Sequence, residues 1–271
     1  MALTLMTVHA HPDDEASTTG GILAKDSAEG IRTVLVTCTN GELGDSPGGP
    51  KPGEDGHDQA KVVELRRAEL EASCAILGVG HLEMLGYHDS GMMGWPTNDA
   101  PGAFCNVPVA EAAAHLAGLI DRYRPDVVVT YDSYAFYGHP DHIQAHQVTL
   151  AALESTCSPA RLYCPTIRRS RLGAFVDRVA DVGVELPSID PERFGSPDED
   201  IAASIDCSDH AAAKLAALGA HASQADNIFF LRFSPAQFAE LFGVEEFVRL
   251  RGREGSSGVE DDLFAGLDST R

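Results

Sequence analysis

The chain is short of positive charge. Only 20 of its 271 residues are Lys or Arg, against 41 Asp and Glu, which leaves a net charge near −21. A surface of that sign repels a phosphate backbone or an anionic membrane, so nucleic-acid and membrane partners are disfavoured from the start. Long apolar runs are also missing: none approaches the roughly 18 residues a spanning helix needs. Met1 to Val8 has neither a basic leader region nor a cleavage signature, so the expected location is the cytoplasm. The six cysteines, Cys38, Cys74, Cys105, Cys157, Cys164 and Cys207, form no C-x-x-C pair and no spacing typical of a structural zinc site, and read as buried free thiols. No internal repeat or low-complexity array is present. What remains, 44% hydrophobic and 23% charged residues, fits one soluble globular domain with a sizeable core, or that domain with a small appendage.

The first two-thirds alternate short β-branched runs with longer helical patterns, the signature of an α/β fold: a Rossmann-like, mostly parallel sheet flanked by helices, with a smaller and less regular C-terminal part. Leu3–His9 reads as the first buried strand, Ser17–Ala28 as a helix stopped by Gly30, and Arg32–Cys38 as the second strand. Gly44–Gly56 has eight Gly or Pro in thirteen positions and must be a loop. Asp58–Leu77 resumes as a helix, His81–Leu85 as a strand, Asp89–Asn106 as a second irregular segment and Val109–Tyr123 as a helix. Asp126–Tyr131 is the clearest buried strand. A helix follows His139 to about Glu154, and Arg161–Ile167 is a further strand. Beyond it the pattern weakens to a strand near Ile201–Ile205, a helix over Ser208–Ala220 and a frayed end from Arg253. The division expected is a metal-binding catalytic core over 1–170, a part over 171–252 that completes the same domain and the substrate cleft, and a flexible tail over 253–271, with Glu260, Asp261 and Asp262 solvated. In open α/β sheets ligands bind beyond the carboxyl ends of the strands. Both long loops leave such ends and are expected to wall the site.

Directly after the first strand comes His9-Ala10-His11-Pro12-Asp13-Asp14-Glu15, two imidazoles and three carboxylates in seven residues. A core cannot bury that set unpaired. The bland alternative is a solvated turn that caps the next helix. Against it stands a second cluster, Tyr137-Gly138-His139-Pro140-Asp141-His142, just beyond the strand Asp126–Tyr131 and again at a helix entry. Imidazole with carboxylate and no thiolate suits zinc or another divalent transition metal, and catalytic zinc takes three protein ligands. His11, His142 and one aspartate supply that set. The neighbouring aspartate is then free to act as general base. Spacing alone does not say which aspartate does which.

A-H-P-D-D-E at 10–15 with Y-G-H-P-D-H at 137–142 resembles the zinc-dependent de-N-acetylases of the PIG-L/LmbE-like superfamily. Lys214–Gln224 (K-L-A-A-L-G-A-H-A-S-Q) is similar to a C-terminal pattern of the same proteins, in which His221 and Gln224 support the site. The resemblance implies His11, Asp14 and His142 as metal ligands, with zinc as the cofactor and iron or cobalt as alternatives, and Asp13 as general base. It implies His139 as the group that stabilises the tetrahedral intermediate, Asp141 as a partner that tunes it, and Tyr137 as an oxyanion or gating residue. Arg66 and Asp89 match substrate-binding positions of the family. For Arg66 the alternative is a surface cation paired with Glu69, an i,i+3 pair worth ~0.2–0.5 kcal/mol. For Asp89 it is a turn initiator. His9 is divided between support of the metal site and plain packing. His146 is expected to face solvent, and histidines 57, 81, 88, 115 and 210 to be structural.

The implied reaction is metal-assisted hydrolysis of an acetamide on an N-acetylglucosamine unit of a small glycoconjugate, with either His139 or the proton-bearing Asp13 as the acid for the leaving amine. The linked group is inositol, as in a mycothiol precursor, or an antibiotic aglycone. Tyr131 to Tyr137 is aromatic where mycothiol deacetylases of the family tend to carry glycines, which weighs against a mycothiol precursor, and Met92, Met93, Trp95 and Phe104 form either an apolar rim that suits an apolar aglycone or an inward minicore. Thr18 stands where related mycothiol-conjugate amidases tend to carry a lysine, which makes that alternative weaker. A non-catalytic sugar-binding protein on the same fold is a further alternative. A dinucleotide enzyme is disfavoured, because H-P-D-D-E rather than G-x-G-x-x-G follows the first strand.

Overall fold

A computed structural model describes residues 2–184, 194–224, 228–252 and 258–267. Strand β1 (Thr4–His9) is buried at every position, as an apolar and β-branched run inside a parallel sheet must be. Helix α1 (Asp14–Ala28) begins before the expected Ser17, because Asp14 and Glu15 suit a first turn where the helix dipole favours carboxylates. Strand β2 (Arg32–Thr39) follows. Helix α2 (Gln59–Leu77) is capped by the Asp58 side chain, which accepts from the Lys61 N–H, and ends at Gly78 with φ 70°. Then come β3 (His81–Tyr87), α3 (Val109–Tyr123), β4 (Val127–Val129), the one-turn helix α4 (Ala135–Gly138) and α5 (Pro140–Ser155). The remainder comprises β5 (Arg161–Thr166), α6 (Leu172–Asp181), β6 (Ala203–Asp206), α7 (Ala211–Ala220), α8 (Pro235–Phe242) and β7 (Val244–Arg251).

The seven strands form one sheet in the order β3-β2-β1-β4-β5-β7-β6. Strands β1 to β5 run parallel, and β7 runs antiparallel to both β5 and β6. The sheet is therefore mostly parallel with helices on both faces. Successive residues of a strand point to opposite faces: Leu5 joins Ile22, Leu218 and Phe238 on one side, and Met6 joins Leu116, Val148 and Leu153 on the other. Strands β2 and β3 lie to one side of β1, and β4 and β5 to the other. The direction of winding thus reverses between β1 and β4, which opens a crevice beyond their carboxyl ends. Both motifs leave those two strands.

Several elements depart from the sequence reading. Strand β4 has three ladder residues rather than the six of Asp126–Tyr131, yet Thr130 and Tyr131 stay fully buried. A 3-10 turn over Ser208–His210 delays α7. Helices α6 and α8 and strand β7 are not legible in the sequence pattern. In β7 the pair Glu245-Glu246 looks solvent-facing, but Glu245 accepts from Lys214 Nζ (2.6 Å) and from the Gly21 and Ile22 N–H groups (2.7 and 3.0 Å), and Glu246 accepts from Arg168 Nε (2.8 Å). The end read as a solvated tail is partly packed: Leu263 and Phe264 are buried, and Glu260 is buried against Arg249 Nη1 at 3.1 Å. Residues 253–257 and 268–271 lie outside the described residues. Four of the six free cysteines are buried; Cys105 is half-buried and Cys157 exposed. Among the described residues no helix is long and apolar enough to cross a membrane.

Candidate metal centre

The chain turns sharply after β1. Asp13 has φ 115°, in the left-handed region, a conformation that costs a non-glycine residue of order 1–3 kcal/mol unless its surroundings impose it. The surroundings do. The Asp13 N–H donates to Glu15 Oε2 (2.9 Å), and Arg66 Nη2 donates to Asp13 Oδ2 (3.1 Å) and to Pro12 O, while Arg66 Nη1 donates to Gly41 O (2.9 Å). Glu15 is fixed in turn by Ser73 Oγ (2.5 Å) and His221 Nε2 (2.7 Å) on its other oxygen. Asp14 starts α1, and its Oδ2 accepts from the His11 N–H (2.8 Å) and the Tyr131 hydroxyl (2.7 Å).

On the other side of the crevice His139 caps α5. Its Nδ1 accepts from the Asp141 N–H (3.2 Å), and the helix carries His142 one turn inward. The rings of His11, His139 and His142 converge at centroid separations of 4.6, 5.3 and 4.8 Å. Among the described residues, two groups have candidate ligand atoms within 4.8 Å of one another: His11 with His139 and His142, and His11 with Asp89 and Asp141. Asp14 Oδ2 also lies 3.3 Å from His11 Nδ1 and 3.4 Å from His142 Nε2.

The ring nitrogens separate these arrangements. His11 Nε2 faces Asp141 Oδ2 at 3.1 Å and Asp89 Oδ1 at 3.5 Å. Those carboxylates are already held by Ser90 N–H (2.9 Å), Ser90 Oγ and Gly91 N–H (2.7 Å). They accept a hydrogen bond from Nε2–H, which in the neutral ring leaves the Nδ1 lone pair of His11 directed at Asp14, the arrangement that orients metal-bound imidazoles. His139 is the converse case. Its Nδ1 accepts, so the neutral ring carries its proton on Nε2 and is a donor. Burial, with His11 and His142 beside it, holds the His139 pKa well below the usual range and keeps the ring neutral. Among the described residues His142 makes no hydrogen bond at Nδ1, although it is 3% exposed, and its Nε2 faces Asp14 Oδ2 at 3.4 Å. The nitrogen of His142 on the Asp14 side is thus Nε2. The donor set of two imidazoles and one carboxylate fits a divalent transition ion.

The electrostatics set Asp13 apart from Asp14. Burial, opposed by Arg66 and reinforced by Asp14, pushes the Asp13 carboxyl up to about 6. Burial acts on Asp14 in the same sense, but the adjacent His142 and His11 outweigh it and hold that carboxyl well below its usual range. At Asp89 burial is likewise overcome, by His11 and the Gly91 N–H, and the carboxyl is held low. Tyr137 is 45% exposed at the rim, edge-on to His142 at 5.5 Å.

Some contacts differ from those expected. The Asp141 carboxylate meets His11 rather than His139. Arg66 is buried and donates to protein groups, Pro12 O, Gly41 O and Asp13. Its expected partner Glu69 instead accepts from Ser223 N–H and Oγ (2.7 and 2.6 Å). His146 is not solvent-facing: it is buried, with Nδ1 2.8 Å from Tyr131 O. His9 packs behind the site with Nε2 2.8 Å from Thr19 Oγ1. His88, read as structural, lines a cavity of about 180 Å³ beside Asp89 together with Glu42, Gln59 and Thr97, and its Nδ1 lies 2.6 Å from Glu42 Oε1. Gln224 bonds the Gly-rich loop, through the Asp45 N–H (3.2 Å) and Asp45 O (3.1 Å). Met92 and Met93 are exposed rim residues, whereas Phe104 is core. Sequence reasoning misses Tyr131 and Glu15 as site-builders. Their only signal is a tyrosine at the inner end of a buried strand and a carboxylate in a helix's first turn.

Residues 6–153 match the family model PIG-L: GlcNAc-PI de-N-acetylase. The chain belongs to this family. It is 43% identical over 286 residues to a 1D-myo-inositol 2-acetamido-2-deoxy-alpha-D-glucopyranoside deacetylase of Acidothermus cellulolyticus, covering 99% of this chain and 96% of that relative. A protein of the same description from Salinispora arenicola is also 43% identical, with 97% and 91% covered. Among solved structures, N,N'-diacetylchitobiose deacetylase from Pyrococcus horikoshii matches with a TM-score of 0.58 at 20% identity, covering 92% of this chain and 84% of that one. At that identity the likeness speaks for the fold. This PIG-L family member places its two motif clusters at adjacent strand ends, where the winding of the sheet reverses.

Proposed function

We propose that this protein is a cytoplasmic, zinc-dependent N-deacetylase that releases acetate from the N-acetylglucosamine unit of a small glycoconjugate, with a GlcNAc-inositol of the mycothiol-precursor type as substrate. The observation that carries the reading is the convergence of His11, Asp14 and His142 around one point, with the Asp13 carboxylate beside them and held by Arg66. His11, Asp14 and His142 would hold the ion. When bound, it supplies Lewis-acid chemistry, polarising the acyl carbonyl and making water acidic enough to deprotonate near neutral pH.

The chain's own groups do the rest. Asp13 takes the proton of the attacking water. His139 donates from Nε2 to the developing oxyanion, and Tyr137 at the rim adds a second donor. The amine leaves only when protonated. A neutral His139 that gave up its Nε2 proton would be left as an imidazolate, so Asp13 returns the proton it has taken. Arg66 holds Asp13 in place and Asp89 borders the substrate cavity.

The substrate reading rests on the relatives and on the cavity beside Asp89. Glu42 Oε2 is buried there without a hydrogen-bond partner, and Glu42, Gln59, His88 and Thr97 offer donors and acceptors that suit a polyol. One observation favours a second reading, a hydrophobic antibiotic aglycone: Met92 and Met93 are 45% and 67% exposed on the rim. The amidase alternative gains nothing, since Thr18 Oγ1 is engaged with Asp14 O at 2.6 Å.

The test is acetate release from N-acetylglucosaminides carrying inositol or hydrophobic aryl groups, using protein of measured zinc content. We expect the inositol conjugate to be the best substrate, and Asp13→Ala to keep zinc while losing about 10²–10⁴ in kcat. Zinc-loaded protein that binds these sugars yet releases no acetate from any of them would make it a sugar-binding protein instead.

A further inference from the structure

Tyr131 lies at the inner end of the crevice, fully buried, just past the last ladder residue of β4. Its hydroxyl is engaged by two groups of the first motif: it donates to Asp14 Oδ2 (2.7 Å) and accepts from the Ala10 N–H (2.9 Å). Its ring lies flat on His142 of the second motif, with centroids 4.2 Å apart and planes 13° from parallel. The ring edge of His9 meets it at 5.7 Å, and its own carbonyl oxygen lies 2.8 Å from His146 Nδ1. One side chain therefore touches both halves of the site, Asp14 on β1's side and His142 on that of β4. It does so with a donor, an acceptor and a flat apolar face, each in use.

We propose that Tyr131 is the positioning residue that sets the geometry between Asp14 and His142, and hence the affinity of the chain for its divalent ion. The inference rests on the proposed ligand roles of those two residues. Asp14 can rotate about χ1 and χ2, and its Oδ2 is fixed by hydrogen bonds from the His11 N–H and the Tyr131 hydroxyl. His142 has no hydrogen bond at Nδ1 to set its ring, so stacking sets the plane: on Tyr131 at 4.2 Å and 13°, and less closely on His139 at 4.8 Å and 28°. Partners of this kind, one step removed from the ion, typically affect metal affinity 10–100-fold. Tyr131 does not line the cavity beside Asp89, so it acts through the ligands and not on the substrate.

The experiment measures Zn²⁺ affinity of metal-stripped protein by competition with a chromophoric chelator, and the visible absorption of the Co²⁺-substituted protein, for wild type, Tyr131→Phe and Tyr163→Phe. Tyr163 is an equally buried tyrosine of the neighbouring strand whose hydroxyl lies 3.1 Å from Glu260 Oε2, away from the site, so its variant controls for the loss of a buried hydroxyl. We expect Tyr131→Phe to bind zinc about 10–100-fold more weakly and to change the cobalt spectrum, with Tyr163→Phe unchanged in both. Tyr131→Phe within threefold of wild type with the same spectrum, or an equal loss in Tyr163→Phe, overturns the proposal. A wild-type protein that binds no divalent ion overturns the ligand assignment itself. Should Tyr131→Phe not fold, 3-fluorotyrosine incorporated at position 131 alone keeps the hydroxyl but strengthens it as a donor. A shifted cobalt spectrum then supports the inference, and an unshifted one overturns it.

Discussion

Glu15 is the residue on which the geometry of Asp13 depends. It accepts from the Asp13 N–H with one oxygen and from Ser73 and His221 with the other, so a single buried carboxylate holds a strained backbone, α2 and the end of α7. Glu15→Ala strands three donors at once, two of them on the fully buried Ser73 and His221. Removing one partner of a buried pair costs about 3–5 kcal/mol, and we expect a loss of that order in urea unfolding. Glu15→Gln keeps one acceptor and the side chain's shape. It should retain most of the stability but lower kcat more than it raises KM, because the reacting base shifts while the substrate contacts stay. Equal effects on kcat and KM in the Gln variant would argue against a positioning role.

At the scale of the element, α1 carries a carboxylate that works against the fold. Asp26 is 5% exposed, and burial, opposed by Lys25 and reinforced by Glu29, Asp262 and Glu245, raises its pKa to about 7. Between pH 4 and 7 the folded chain therefore keeps a proton that the unfolded chain has lost. Stability must fall as pH rises through that window and level off above it. Asp26→Asn removes the titration. The two proteins should melt together near pH 4, and the variant should be more stable above pH 7 by at most about 4 kcal/mol, at ~1.36 kcal/mol for each pH unit between the folded and unfolded pKa. Thermal melts at pH 5 and 8.5 read the difference directly, and parallel melting at both would show that Asp26 is solvated.

At the scale of the molecule, the C-terminal residues and the ion act on the whole fold. Leu263 and Phe264 are buried in the core cluster shared with α1, α7 and β7, so Leu263→Ala is expected to cost about 2–5 kcal/mol in urea unfolding, whereas a free tail would cost nothing. Ion removal is a second whole-molecule lever. An ion held only by the folded state adds ~2.7 kcal/mol at a hundredfold excess over Kd. Chelation should lower the Tm and zinc should restore it, and a Tm indifferent to both would remove the ion from the site.

Local pattern alone determined the α/β alternation, the Gly-rich loop and the two chemistry-bearing clusters after buried strands, because periodicity, turn residues and charge density are properties of neighbours in the chain. The same locality hid β7, where two adjacent glutamates look solvated until Lys214, Arg168 and α1 supply their partners. It also hid the tail, since nothing near Glu260 in sequence announces Arg249. In the site, the residue types pointed to a metal and a base. Only the tertiary structure decided that Asp141 and Asp89 converge on His11 Nε2, that the Asp141 N–H occupies His139 Nδ1, and that Tyr131 binds both motifs together. Which nitrogen is a ligand and which a donor depends on the group opposite each one, and for His11 that group comes from another part of the chain.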